Sequence, residues 1–114
     1  MDECLFCRII KGAVPATRVY EDEEILAFED VNPQAPTHVL IIPKLHLATA
    51  LDIEAGHSEL IGRAFIVAKQ IARERGVADE GYRVVLNCNR GAGQTVFHVH
   101  FHLLAGRPLG WPPG

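Results

Sequence analysis

The chain of 114 residues reads as an α+β fold, an antiparallel sheet of about five strands with one long helix and a short N-terminal helix. Three observations lead there. Residues 55–75 repeat apolar side chains at the 3.6-residue period of a helix. Five shorter runs, rich in β-branched and apolar residues, are strand-like. Most of their connections are short, which favours antiparallel pairing, because a parallel pair needs a crossover of a dozen or more residues.

Taken in order, residues 4–11 (CLFCRIIK) form a short helix ended by Gly12, and Pro15 forbids its continuation. Thr17 to Glu21 and Ile25 to Glu29 are two strands, joined by a turn at Glu21-Asp22-Glu23. Asn32 to Pro36 holds two prolines and an asparagine and is a loop. His38 to Ile42 (HVLII) is a continuous apolar run, the pattern of a central strand, and Pro43 ends it. In the long helix, Leu60, Ile61, Ala64, Phe65, Ala68, Ile71 and Ala72 share the buried face, opposite Lys69, Arg73 and Glu74. Gly76 is a suitable stop. Tyr82 to Cys88 is a strand, Asn89 to Gly93 (NRGAG) a glycine-rich turn, and Val96 to Leu104 (VFHVHFHLL) the last strand. The tail, residues 105–114, is an extended arm. No repeat or linker divides the chain, so residues 1–114 read as a single domain.

Composition narrows the class. Apolar residues make up 48%, enough for a core, yet a chain this short is only marginally stable alone, and a homodimer is expected. The net charge of -3 argues against nucleic acid or acidic membranes as partners. No run approaches the ~18 apolar residues of a membrane span. Acidic residues precede the first apolar stretch, unlike a secretory signal. Three cysteines, Cys4, Cys7 and Cys88, do not make a secreted disulfide framework. A cytoplasmic protein is expected.

Side chains alternate along a strand, so Val96 to Leu104 puts His98, His100 and His102 on one face, about 7 Å apart in succession. Phe97, Val99, Phe101 and Leu103 then face the core. Three readings compete: a polar sheet face, a three-histidine metal site, and nucleophilic catalysis by an imidazole that is near its pKa at neutral pH. Immediately upstream, Gly91 and Gly93 offer backbone N–H groups and Gln94 and Thr95 offer side-chain donors, an arrangement that suits a phosphate as well as a plain hairpin turn.

The run His98-Val99-His100-Phe101-His102-Leu103-Leu104 resembles the His-x-His-x-His-x-x signature of the histidine-triad (HIT) superfamily. Asp30, Pro33-Gln34-Ala35-Pro36-Thr37-His38, Ile42-Pro43-Lys44, Asn87, Gly93-Gln94 and the tail Trp111-Pro112-Pro113-Gly114 resemble its nucleotide-binding Hint branch. The resemblance covers essentially the whole chain. It implies a twisted antiparallel HIT-like sheet, a homodimer, and hydrolysis of purine nucleoside 5′-phosphoramidates, such as AMP-amine or AMP-lysine adducts, to AMP. His100 would attack phosphorus and form a nucleotidyl-histidine; His102, His38 and Thr95 would assist. Asn87, Gly93 and Gln94 would hold phosphate, Asp30 the ribose hydroxyls, and Leu5, Phe6, Ile9, Phe28, Val31 and Leu40 the base. No cofactor is implied for catalysis. Trp111 would reach the partner subunit.

Cys4-Leu5-Phe6-Cys7 has the C-x₂-C spacing of a zinc half-site. His46 and His98 are the candidates to complete a structural Cys₂His₂ set, as in some triad-superfamily members; free thiols or disulfide chemistry are the alternatives. Other functional readings are a dinucleoside polyphosphate hydrolase on the same fold, a non-catalytic purine-nucleotide module, and a metal-dependent hydrolase using all three histidines.

Overall fold

The computed structural model describes residues 3–114. The chain runs α1 (Leu5–Ile10), β1 (Arg18–Glu21), β2 (Ile25–Glu29), β3 (Thr37–Pro43), α2 (Ser58–Glu74), β4 (Tyr82–Leu86) and β5 (Phe101–Ala105). One antiparallel sheet has the order β1-β2-β3-β5-β4. The last strand thus enters between β3 and β4, opposing Leu40 to His102 on one side and Val85 to His102 on the other. The β1–β2 turn is closed by Asp22, whose Oδ1 accepts from the backbone N–H groups of Glu24 and Ile25, both at 2.8 Å. This is the short-range bonding that suits aspartate to turns. Burial raises the Asp22 carboxyl, but hydrogen bonds from Tyr20, Glu24, Ile25 and Arg63 outweigh it and hold the group down at about 2.

β3 is buried at every position, which an antiparallel strand achieves only when both faces of the sheet are covered. On one face Ile25, Ala27, Val39, Ile41, Phe101 and Leu103 meet Ala64, Val67, Ala68 and Ile71 of α2. On the other, Leu26, Phe28, Leu40 and Ile42 meet Phe6 and Ile9 of α1. Each fully buried aliphatic or aromatic side chain contributes about 1.5–3 kcal/mol. α2 stops at Gly76, whose φ of 70° lets its N–H reach the Arg73 carbonyl and that of Val77 the Ala72 carbonyl. No helix among the described residues is long and apolar enough to cross a membrane.

The expected elements are present, with differences in their bounds and in what they bury. α1 is shorter than residues 4–11, because Cys4 is its N-cap, its sulfur accepting from the Cys7 N–H at 3.4 Å. The long helix is a 3-10 turn at Ala55–His57 followed by α2. Within α2, Phe65 is half-exposed, edge-on to Phe101, and Val67 takes the buried position instead. β4 ends at Leu86, short of Cys88.

The largest correction concerns the last strand, which starts at Phe101 rather than Val96. The Val99 N–H donates to the Leu47 carbonyl at 2.7 Å, outside the sheet ladder, so residues 96–100 cross over the loop after β3. Phe97 is consequently 38% exposed and not in the core, whereas Val99, Phe101 and Leu103 do pack beneath α2. His98 and His100 therefore precede the strand that carries His102.

Candidate active site and metal cluster

β3 and β5 bring His38 and His102 together across the sheet, with His38 Nε2 2.9 Å from His102 Nδ1. The direction of that bond follows from the backbone. The Gln34 N–H donates to His38 Nδ1 at 3.0 Å, so this nitrogen carries no proton and Nε2 does. His38 Nε2–H then donates to His102 Nδ1, which leaves the His102 proton on Nε2. The Asp30 carboxylate stands 3.3 Å from His38 Nε2. It is fixed by its own N–H to the His38 carbonyl at 3.0 Å and by accepting from the Asn32 N–H at 2.8 Å, the loop-capping bond of an Asp-x-Asn sequence.

His100 is wired differently. Its Nδ1 lies 2.7 Å from the His98 carbonyl oxygen, an acceptor only, so Nδ1 carries the proton and Nε2 keeps a free electron pair. Its ring sits 5.0 Å from that of His102 and receives the edge of Phe6 at 5.1 Å. Burial lowers the pKa of His38, His100 and His102, with Asp30 opposing the shift at each. For His102 burial and its two imidazole neighbours push the value down to about 4. The trio is therefore neutral at pH 7, able to offer one electron pair and one N–H toward a ligand.

The other expected site residues divide. Asn87 Nδ2 lies 4.0 Å from where a side chain on Gly93 would begin, and Gly93 takes φ 97°, so the bare backbone here lies beside an amide donor. Gln94, expected to face a phosphate, is committed to the loop. Both its amide hydrogens go to carbonyls, of Ala48 at 2.8 Å and Val96 at 3.0 Å, while its Oε1 accepts from the Asn89 N–H at 2.7 Å. In this arrangement its side chain braces the loop. Thr95 is exposed and lines a groove with Cys4, Leu5, His46, Val96 and Phe97. Phe6, Ile9, Phe28 and Leu40 form one buried cluster, while Val31 is 98% exposed and lines a groove of about 400 Å³ with Pro15, Ala16, Thr17, Glu29 and Asp30. Leu5, expected beside them, is 41% exposed and separate. Sequence reasoning gave no role to the Gln34 N–H or the Pro43 carbonyl; backbone groups carry no residue-type signal.

Cys4, Cys7, His46 and His98 form a second cluster, all four ligand atoms lying within 4.8 Å of one another. The individual separations are 3.4 Å from Cys4 Sγ and 3.6 Å from Cys7 Sγ to His98 Nδ1, 3.3 Å from Cys7 Sγ to His46 Nδ1, and 3.1 Å between the two Nδ1 atoms. Tetrahedral zinc with bonds of about 2.0–2.3 Å holds its ligands about 3.3–3.8 Å apart, so this donor set fits the ion closely. His98 Nε2–H donates to the Pro43 carbonyl at 2.7 Å, which turns an unprotonated Nδ1 toward the sulfurs. A backbone acceptor behind a ring nitrogen is the usual support of a metal-binding imidazole. Four protein ligands leave no open position, so such an ion would be structural.

Residues 11–109 match the HIT domain family model. Over 109 residues the chain is 48% identical to a purine nucleoside phosphoramidase of Escherichia coli, covering 96% of this chain and 92% of that one. It is 51% identical over 112 residues to a 14 kDa zinc-binding protein of Zea mays, covering 96% and 87%. The crystal structure of a HIT family hydrolase from Legionella pneumophila superposes with a TM-score of 0.97 at 54% identity, covering 98% of this chain and 100% of that one. With the fold, the histidine constellation and these relatives agreeing, the chain belongs to the HIT domain family.

Proposed function

We propose that the protein is a nucleotide phosphoramidase that hydrolyses the P–N bond of purine nucleoside 5′-phosphoramidates. The observation that carries the reading is the His100 tautomer: Nδ1–H held by the His98 carbonyl at 2.7 Å, Nε2 unprotonated. In the first step Nε2 attacks the α-phosphorus, the P–N bond breaks, and the amine leaves with a proton. Water then cleaves the nucleotidyl-histidine, releasing the mononucleotide and restoring His100. His102, with its proton on Nε2, is suited to bond a phosphate oxygen or the departing nitrogen. His38 and Asp30 keep that proton where it is needed. The Asn87 amide supplies a further donor beside the bare backbone of Gly93, whose own N–H is held by the Arg90 carbonyl at 2.9 Å, with Thr95 at the rim; each donor aimed at developing charge is worth about 3 kcal/mol. The Asp30–Val31 groove receives ribose and base, and Ala16 in its wall packs against the cluster of Phe6, Ile9, Phe28 and Leu40.

Zinc in the Cys4, Cys7, His46 and His98 cluster completes the proposal. These residues would hold it, and its contribution is to tie α1 to the segment before β5. We also assign the protein to the cytoplasm, as a single-domain homodimer. β4 is an edge strand, and Phe65, Ile66 and Trp111 are exposed, surfaces a second copy would cover. A chain truncated after Pro108 should lose dimer stability or change its KM; unchanged sedimentation and kinetics would remove Trp111 from the interface.

The deciding measurement is steady-state hydrolysis of adenosine 5′-phosphoramidate by the wild type and by His100→Ala. Clear turnover that collapses in the variant is the expected result. Equal turnover would end the mechanism.

A further inference from the structure

The metal cluster and the nucleophile meet in one residue. His98 gives its ring to the cysteines and its carbonyl to His100, and it is fully buried. Phe6, lying between Cys4 and Cys7 in sequence, packs edge-on to the rings of both His98, at 6.0 Å, and His100, at 5.1 Å. Two separate paths thus lead from the thiols to the nucleophilic imidazole. The segment they act on is outside the sheet ladder, anchored there by the Val99–Leu47, His98–Pro43 and Gln94–Val96 bonds and by the cluster itself.

The two thiols differ in access. Cys7 is buried, whereas Cys4 is half-buried and forms part of the wall of a groove of about 420 Å³ open to solvent. Cys4 precedes the helix and Cys7 lies in its first turn, with the Cys7 N–H on Cys4 Sγ. One helical turn separates the two α-carbons by about 5–6 Å, within the range that a disulfide spans. The geometry suits a peroxide-reactive thiol with a resolving thiol behind it.

We propose that Cys4 and Cys7 are a peroxide-sensitive modification site that controls the positioning of His100. The Cys4 thiolate attacks hydrogen peroxide, the O–O bond breaks, and a sulfenic acid forms with release of one water after proton uptake. Cys7 then attacks the Cys4 sulfur, displacing a second water and closing the S–S bond. The two sulfurs lose two electrons and peroxide gains them. A disulfide no longer offers two thiolates, so any bound metal leaves and the His98 ring loses its sulfur partners. The His98 carbonyl and the Phe6 edge then cease to fix the His100 ring.

This rests on the phosphoramidase reading for its kinetic consequence but not for its structural one, and the test separates the two. Cys88→Ser protein, which keeps only Cys4 and Cys7, is treated with stoichiometric hydrogen peroxide. Mass spectrometry should show a loss of two hydrogens and no net gain of oxygen. Nitrogen NMR of the imidazoles should show the His100 Nδ1–H signal broadened or lost while the amide spectrum of the sheet persists. kcat on adenosine 5′-phosphoramidate should fall about 10- to 100-fold, with KM changed less than about twofold, and dithiothreitol should restore it. Failure to form the disulfide, an unchanged His100 signal in the oxidised protein, or collapse of the whole sheet spectrum would each overturn the proposal. Were the reduced protein to show no turnover, the phosphoramidase reading would fail, and the NMR outcome would still decide whether the thiols control His100.

Discussion

Two histidine clusters lie on the same side of the sheet and use the same ring in opposite ways. In the Cys4–Cys7–His46–His98 cluster, ring nitrogens and sulfurs converge, and the His98 proton is drawn away to the Pro43 carbonyl. In the Asp30–His38–His102 cluster, a backbone N–H from Gln34 sets a donor-to-acceptor chain, so that a proton lies between the His38 and His102 rings. What differs is the backbone group behind each ring: a carbonyl turns an imidazole into a metal ligand or a nucleophile, and an N–H turns it into a proton donor.

The sharpest way to break this contrast is to remove one imidazole from each side. His100→Ala should lower kcat/KM by about 10⁴-fold or more while retaining the full metal content, measured by atomic emission. Metal lost together with activity would mean that the clusters are not separate in function. His98→Ala should have its main effect on stability, about 2–4 kcal/mol in urea unfolding, because it deletes a fully buried ring and strands a buried carbonyl; metal should fall to background. A stability loss below 0.5 kcal/mol, on the order of an exposed substitution, would remove the cluster from the fold's support. Next comes His38→Ala, expected to cost about 10- to 100-fold in kcat with no loss of metal, as removal of a positioned proton-handling group does. An unchanged kcat would exclude the His38–His102 pair from catalysis.

The last effect is on pH. His102 is held at about 4 by burial, by His100 and by His38, with Asp30 opposing, against 6.5 for the free ring. The unfolded chain therefore binds protons before the folded one as pH falls, and stability drops between 6.5 and about 4, with no contribution above that window. Melting temperatures across pH 4 to 7 would show it. His102→Gln should reduce the slope without abolishing it, since burial also lowers the pKa of His38, His98 and His100, and a slope unaffected by that change would assign the acid sensitivity to those rings.

Much of this was legible in the sequence because periodicity records burial. α2 follows from its apolar spacing, and β3 from four consecutive apolar or β-branched positions after His38. The approach to β5 was not legible, for the alternation of VFHVHFHLL is the pattern of a strand whether or not a ladder partner exists. The partner that decided it, the Leu47 carbonyl, lies in another part of the chain. Phe65 was misplaced and Val67 omitted from the buried face for a related reason: Val67, between Ala64 and Ile71, lies in the centre of the helix's apolar stripe, whereas Phe65 lies at its edge and reaches only the edge of Phe101. Residue types pointed to the two clusters, but the tautomers within them depend on backbone groups. Gln94 illustrates the limit, since an amide suits a phosphate and two carbonyls equally well.

The sheet also acts as a partition. Along β3, His38, Leu40 and Ile42 face the chemistry, and Val39 and Ile41 face α2, in strict alternation. A protein engineer can therefore redesign the α2 interface wholesale, repacking Val39, Ile41, Phe101 and Leu103 against a new helix to raise heat tolerance, and leave the reacting surface untouched. The same partition gives evolving lineages independent access to durability and to specificity.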